Sequence, residues 1–311
     1  MITDRPQPFG DRLATLVEER ESQLVLGLDP DPSRLWRSAV ETVDSVAGET
    51  PVDTAARAVT AHCRAVIAAV GGDCVGVKLQ LACFERLGTA GWRSLEQTVA
   101  AVHEHGLLAI ADGKRGDVPV SAAVYGDALF GPVSTPWGAA GGLGADAATA
   151  NPMIGADSLE PLIESAWRAG GGVFALVRTS NPGAADIEDL LVEGGGTVSD
   201  RIARMTGELG ARYVGESGLS SLGAVVGATA PGHIERLRAA LPRAVFLIPG
   251  VGAQGGRVED LVAAFTTERA SALVTVSRAI VDAASAGGGD QADAARVAAA
   301  GLRESIWSVS G

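Results

Sequence analysis

Lysine is almost missing from this chain. Of its 25 Lys and Arg residues only two are lysines, Lys78 and Lys114. Arginine serves wherever a cation alone is needed. A guanidinium does not release its proton near neutral pH, whereas a compact ammonium can deliver one. The two positions that keep lysine are therefore the first candidates for chemistry. Cysteine is also sparse. Cys63, Cys74 and Cys83 are odd in number and lack metal or redox spacing, which excludes a disulfide framework and fits reduced thiols in a cytoplasmic protein. The histidines are His62, His103, His105 and His233. His103 and His105 would point to different faces of a helix, so no metal pair is expected and all four read as structural or solvated. No apolar run reaches the roughly 18 residues of a membrane span, and Met1 to Gly10 has no signal-peptide core. Positive charge is short too. A formal net charge of −12 argues against nucleic acid as a partner. It leaves room for a small anion in a locally basic site, because distant charges are screened over about 8 Å at physiological salt.

What remains is a globular composition, 47% hydrophobic and 20% charged, over 311 residues. Eight short apolar runs stand out, at 24–28, 74–79, 107–111, 145–150, 172–177, 224–228, 244–248 and 272–276. Helical patterns fall between them, at 92–105, 118–129, 199–210, 233–241 and 258–265, with others at 11–21 and 291–306 at the two ends. Asp53 is a plausible N-cap for a helix to about Val70, and Asp157-x-x-Glu160 resembles a capping box. The runs are continuous rather than alternating, so each strand should be covered on both faces and lie in a parallel sheet. Eight βα units predict a closed (β/α)8 TIM barrel, an α/β fold, with 1–311 as one domain carrying an N-terminal helical extension. A doubly wound open sheet is the alternative, but no Gly-x-Gly-x-x-Gly follows the first strand. The connections 31–51, 130–144 and 182–222 are longer than a minimal barrel needs. The scattered tryptophans are expected to pack.

In such a barrel the active site lies at the C-terminal ends of the strands. Asp29, Lys78, Asp112, Lys114, Ser180, Gln254 and Arg278 all fall there or just beyond. Two lysines placed at random would both do so about one time in a hundred. Lys114 sits in Asp112-x-Lys114-x-x-Asp117, a pattern expected by chance in about one chain in twenty of this length. Position, not the motif, makes it informative; a solvated ion-pair cluster capping a helix is the plain alternative. On an extended strand end Asp112 and Lys114 would point to the same side, while Asp117 need not face that pocket. Pro249 to Gly256 carries four glycines after strand seven, and Ser277-Arg278 follows strand eight. Loops there commonly bind phosphate, through backbone N–H groups and an arginine fork. An ordinary glycine turn with a surface arginine is the competing reading.

Taken together these segments resemble the orotidine 5′-monophosphate decarboxylase family in its longer bacterial form. Leu26-Gly27-Leu28-Asp29-Pro30, Val77-Lys78, Ala111-Asp112-Gly113-Lys114-Arg115-Gly116-Asp117, Thr179-Ser180-Asn181-Pro182-Gly183, Pro249 to Gly256 and Ser277-Arg278 carry the likeness, over about residues 24 to 280. The resemblance implies loss of CO2 from orotidine 5′-monophosphate to give uridine 5′-monophosphate, with no metal and no cofactor. It assigns Lys114 as proton donor to pyrimidine C6 and Asp112 beside the departing carboxylate. Lys78 and Asp29 would meet the ribose, Ser180 the base, and Gln254 and Arg278 the phosphate, with Pro249 a further substrate-binding residue. Asp117, with Ser121 near it, would reach into a neighbouring subunit's site, which implies a homodimer. Two rivals remain at this level: a magnesium-dependent sugar-phosphate decarboxylase or aldolase of the same superfamily, and a non-catalytic phosphate-binding barrel.

Overall fold

Strand β1, Leu24–Leu28, is buried along its whole length, and its two faces define the layers of the molecule. Leu24, Leu26 and Leu28 pack outward against helices, in a layer that includes Val77, Leu79 and Ala109. Val25 points inward and joins Val75, Ile110, Phe174 and Val245 inside a barrel. The computed structural model describes residues 6–311 except 45, 47, 230, 253, 287 and 288. Most of the Met1 to Gly10 segment's start, and Ala253 in the glycine loop, thus lie outside the described residues.

The elements follow in βα order. Helix α1 (Phe9–Arg20) precedes β1; α2 (Arg37–Glu41) and α3 (Pro51–Val70) lead to β2 (Gly76–Gln80). Helices α4 (Leu81–Glu85) and α5 (Gly88–Glu104) precede β3 (Leu108–Arg115), and α6 (Pro119–Phe130) follows it. A small hairpin, β4 (Val133–Thr135) and β5 (Gly138–Ala140), intervenes before β6 (Ala147–Ala150) and α7 (Ala156–Arg168). Then come β7 (Gly172–Arg178), α8 (Val198–Gly210), β8 (Ser220–Val226), α9 (Pro231–Ala240) and β9 (Ala244–Pro249). The chain ends with β10 (Ala272–Val276), α10 (Arg278–Val281) and α11 (Gln291–Val309). The sheet closes as β1-β10-β9-β8-β7-β6-β3-β2, and every pairing in it is parallel. This is the (β/α)8 barrel that the apolar runs predict, and closure excludes the open sheet.

Helix α1 plugs the N-terminal end of the barrel. Phe9, Leu13 and Val17 recur at helical spacing and join the interior cluster, with the Phe9 ring edge-on to Phe174 at 5.8 Å. Asp11, on the same helix, accepts the backbone N–H groups of Glu216 and Ser217. Closing that end leaves the opposite, C-terminal end as the open mouth.

Several local expectations change. The N-cap of α3 is Thr50, not Asp53; Asp53 is the third helical residue and completes a capping box with Thr50. The expected box at Asp157 and Glu160 is absent, because α7 starts on Gly155, whose φ of 125° suits glycine, with no side-chain cap. Residues 258–265 form a 3-10 helix rather than an α-helix. Strand β8 begins at Ser220, four residues earlier than the apolar run. Its polar start is hidden because Ser220 Oγ donates to the Gly210 carbonyl at 2.9 Å, so burial leaves that hydroxyl satisfied. Trp137, at the tip of the β4–β5 hairpin, is 92% exposed, against the expectation that the tryptophans pack.

Candidate active site

Four charged side chains form a row across the mouth of the barrel. Lys78 Nζ donates to Asp112 Oδ2 at 2.6 Å, and Lys114 Nζ donates to Asp112 Oδ1 at 2.6 Å. Asp29 lies 3.8 Å from Lys78 Nζ. Strand register explains the first pair, since β2 and β3 run parallel with Gln80 opposite Asp112. Gln80 Nε2 donates to Asp112 Oδ2 at 3.3 Å, and Thr149 Oγ1 donates to Asp112 Oδ1 at 2.9 Å. A carboxylate offers about four lone-pair sites, and Asp112 has one donor for each.

Burial would raise the Asp112 carboxyl, but the neighbouring Lys78 and Lys114 ammonium groups and their hydrogen bonds outweigh it and hold the carboxyl at about 2. Burial would likewise lower Lys78, yet Asp112 and Asp29 beside it raise its pKa above the ordinary lysine value. Asp112 and Lys78 thus remain charged at neutral pH although both are buried.

Lys114 reaches Asp112 by a different route from the one its spacing suggests. The strand is not extended there: Lys114 has φ of +48°, and the β3–β6 register shifts between Ala111 and Arg115. A left-handed non-glycine residue costs about 1 kcal/mol or more and persists only where its surroundings hold it. Here the Lys114 N–H donates to Thr149 Oγ1 at 2.9 Å, the same hydroxyl that bonds Asp112. Gly116 makes room on the far side, since a Cβ there would lie 2.6 Å from the Asn151 carbonyl oxygen.

Asp29, Lys78, Asp112, Lys114, Ser180, Pro249, Gln254 and Arg278 line one cavity of about 680 Å³. Gln254 and Arg278 add further polar groups to this lining, with Leu176, Ile187 and Val251 adding apolar surface. Asp117 and Ser121 do not line it. Asp117 sits at the entry to α6, where its carboxylate accepts the Val118 N–H at 2.8 Å. The glycine loop uses part of its donor set internally. The N–H groups of Gly252, Gly255 and Gly256 bond to carbonyls within the loop, at 2.9, 2.8 and 3.0 Å. Its glycines therefore shape a tight turn, and Gly250 and Gly252 take φ of +104° and +77°. The side chains of Gln254 and Arg278 face the same cavity.

A family model described as "Orotidine 5′-phosphate decarboxylase / HUMPS family" matches residues 22–288. The chain belongs to this family. A curated orotidine 5′-phosphate decarboxylase from Rhodopirellula baltica is 38% identical over 276 residues, which cover 88% of this chain and 88% of the relative. One from Deinococcus radiodurans is 41% identical over 231 residues, 74% of this chain and 78% of the relative. Among solved structures, the orotidine monophosphate decarboxylase of Leishmania donovani superposes with a TM-score of 0.70 at 28% identity, covering 98% of this chain and 99% of that one.

The geometry adds residues that the sequence does not single out. Thr149 and Gln80 complete the shell of Asp112. Thr149 is a hydroxyl within the otherwise all-alanine β6, Ala147–Ala150, buried on every residue; a lone polar residue in such a strand was the available signal. Gln80 stands two residues beyond Lys78 and so on the same side of β2. Ile187, which lines the cavity from the 182–222 connection, lies outside any periodic segment, whereas Ile202 belongs to the helical pattern at 199–210.

Proposed function

We propose that this protein decarboxylates orotidine 5′-monophosphate to uridine 5′-monophosphate in pyrimidine biosynthesis, without metal or organic cofactor, with Lys114 as the proton donor. The observation that carries the reading is the saturated Asp112 carboxylate, gripped by both lysines of the chain at the wall of the barrel-mouth cavity. A divalent cation at Asp112 would have to displace one of those ammonium groups, which favours the metal-free chemistry over the magnesium-dependent alternative.

In this reading Arg278 and Gln254 hold the phosphate, next to Pro249, and Ser180 meets the base. Lys78 and Asp29 meet the ribose hydroxyls. The substrate carboxylate then lies beside Asp112 and C6 beside Lys114 Nζ. The C6–carboxylate bond breaks, CO2 leaves, and its electron pair stays on C6. The Lys114 ammonium stabilises that developing charge and passes a proton to C6; the amine later regains one from solvent. Asp112 keeps the ammonium aimed, so little reorganisation is needed at the moment of reaction. Phosphate contacts remote from C6 supply binding energy for organising the site.

The protein acts as a homodimer in this proposal, with Asp117, and Ser121 near it, serving the partner's site. Support comes from the apolar surface beside Asp117: Val118, Val120, Val124 and Tyr125 of this segment are exposed, as are Met153 and Ile154 in the neighbouring loop. Ultraviolet monitoring of orotidine 5′-monophosphate with purified protein and a chelator tests the chemistry. Conversion at an undiminished rate is expected; full loss of activity in chelator, restored by magnesium, would reject the metal-free route.

A further inference from the structure

Arg278 is the first residue of α10, a four-residue helix too short to hold its own position. It lines two cavities. One is the barrel-mouth cavity; the other, of about 380 Å³, lies between the β1 loop, α3 and α10, and is bordered by Asp31, Arg34, His62 and Asp282. Packing therefore does not fill the space behind α10, and the arginine has somewhere else to go.

A strut ties α10 to α3 beside that space. Trp36 is 2% exposed, and its Nε1–H donates to the Val281 carbonyl, the last of α10, at 2.9 Å. The Trp36 backbone N–H donates to His62 Nδ1 at 3.1 Å, and the two rings meet edge to face at 5.7 Å. Burial of His62 lowers its pKa to about 4, so the ring is a neutral acceptor at physiological pH. The Asp282 N–H bonds the Arg278 carbonyl at 3.0 Å, so the turn held by Trp36 is the turn that carries Arg278. Arg34 pairs with Asp282 at 3.2 Å, and the Arg37 N–H bonds Gln291 at 2.9 Å, adding weaker ties from the same segment.

We propose that Trp36 is a positioning residue for Arg278: by bracing α10 against α3 it keeps the guanidinium on the active-site side rather than in the second cavity. The long connection after β1 thereby gains a role, tuning affinity for the phosphate end of the nucleotide. The inference rests on the reading of Arg278 as the phosphate-binding arm.

The test compares inhibition by uridine 5′-monophosphate and by uridine for wild type, Trp36→Phe and Arg278→Ala. Losing a hydrogen bond that sets geometry should weaken uridine 5′-monophosphate about fivefold in Trp36→Phe and leave uridine unchanged, with KM rising and kcat held. Arg278→Ala should show a larger loss with the same selectivity. If Trp36→Phe weakens both ligands equally, or neither, while Arg278→Ala is selective, the strut is wrong and the phosphate reading stands. If Arg278→Ala weakens both ligands equally, the phosphate reading falls and the strut falls with it. Should Trp36→Phe not fold, benzothienylalanine at that position keeps the ring shape and removes only the N–H, with the same outcomes deciding.

Discussion

Lys114 is strained in its backbone and anchored at both ends, by Thr149 at its N–H and by Asp112 at its ammonium. Lys114→Ala should abolish turnover, while calorimetry still detects uridine 5′-monophosphate; retained turnover would remove the proton-donor role. Asp112 carries a separate, pH-dependent consequence. Its carboxyl is held at about 2 against an ordinary 3.8, so its contribution to stability is fully present above 3.8 and lost as pH falls through 2. The shift corresponds to roughly 2 kcal/mol. Asp112→Asn should reduce stability at neutral pH and flatten its fall in this acid range, as followed by denaturant melts across pH. An acid limb as steep as wild type would show that other carboxylates control it. His62 acts in the same direction but in a higher pH window. Burial lowers it from 6.5 to about 4, so the unfolded chain binds the proton first and stability falls as pH drops from 6.5 toward 4.

At the scale of elements, the segment after β7 fastens itself to the strand that carries Ser180. Arg178, buried at the end of β7, makes a two-pronged contact with Asp189 at 2.8 and 2.9 Å. Glu188 accepts the Thr179 N–H at 2.8 Å. The same segment supplies Ile187 and Glu188 to the cavity wall. Asp189→Ala would leave the Arg178 guanidinium short of its partner, at a cost of roughly 2 kcal/mol given that Asp189 is partly exposed. A lower melting temperature together with a raised KM is expected. A lower melting temperature with KM unchanged would mean that the segment is structural only. None of this could be read from residues 182–222, where no periodic pattern announces which carboxylate meets which arginine. The lysines at the ends of β2 and β3, by contrast, were legible, because continuous apolar runs locate strand ends and strand ends locate the mouth.

At the scale of the whole molecule, the exposed apolar strip on α6 bears on the proposed dimer. Val120 is 80% exposed, yet sits three residues from Asp117. Val120→Asp should shift sedimentation toward monomer and lower activity in parallel; a monomer of full activity would contradict a shared site. Mixing Lys114→Ala with Asp117→Ala subunits offers a sharper check. In a two-fold dimer half the molecules are mixed, and each mixed dimer has one site with both residues intact, so roughly a quarter of wild-type activity should return. No recovery would confine Asp117 to its own chain's site, or to none.

The chain's own pattern determined the barrel, the end of it that carries chemistry, and the residues from which the charged row would be drawn. It could do so because strand burial, strand length and lysine scarcity are properties of neighbouring residues. Only the tertiary structure decided how the row is assembled. Lys114 turns left-handed instead of extending, the glycine loop spends N–H groups on itself, and Thr149 and Gln80 finish the shell of Asp112. The bracing of Arg278 through Trp36 spans more than 240 residues, with |i−j| of 245 at the Val281 contact. Such pairings depend on which strands become neighbours when the sheet closes, and no local pattern encodes them.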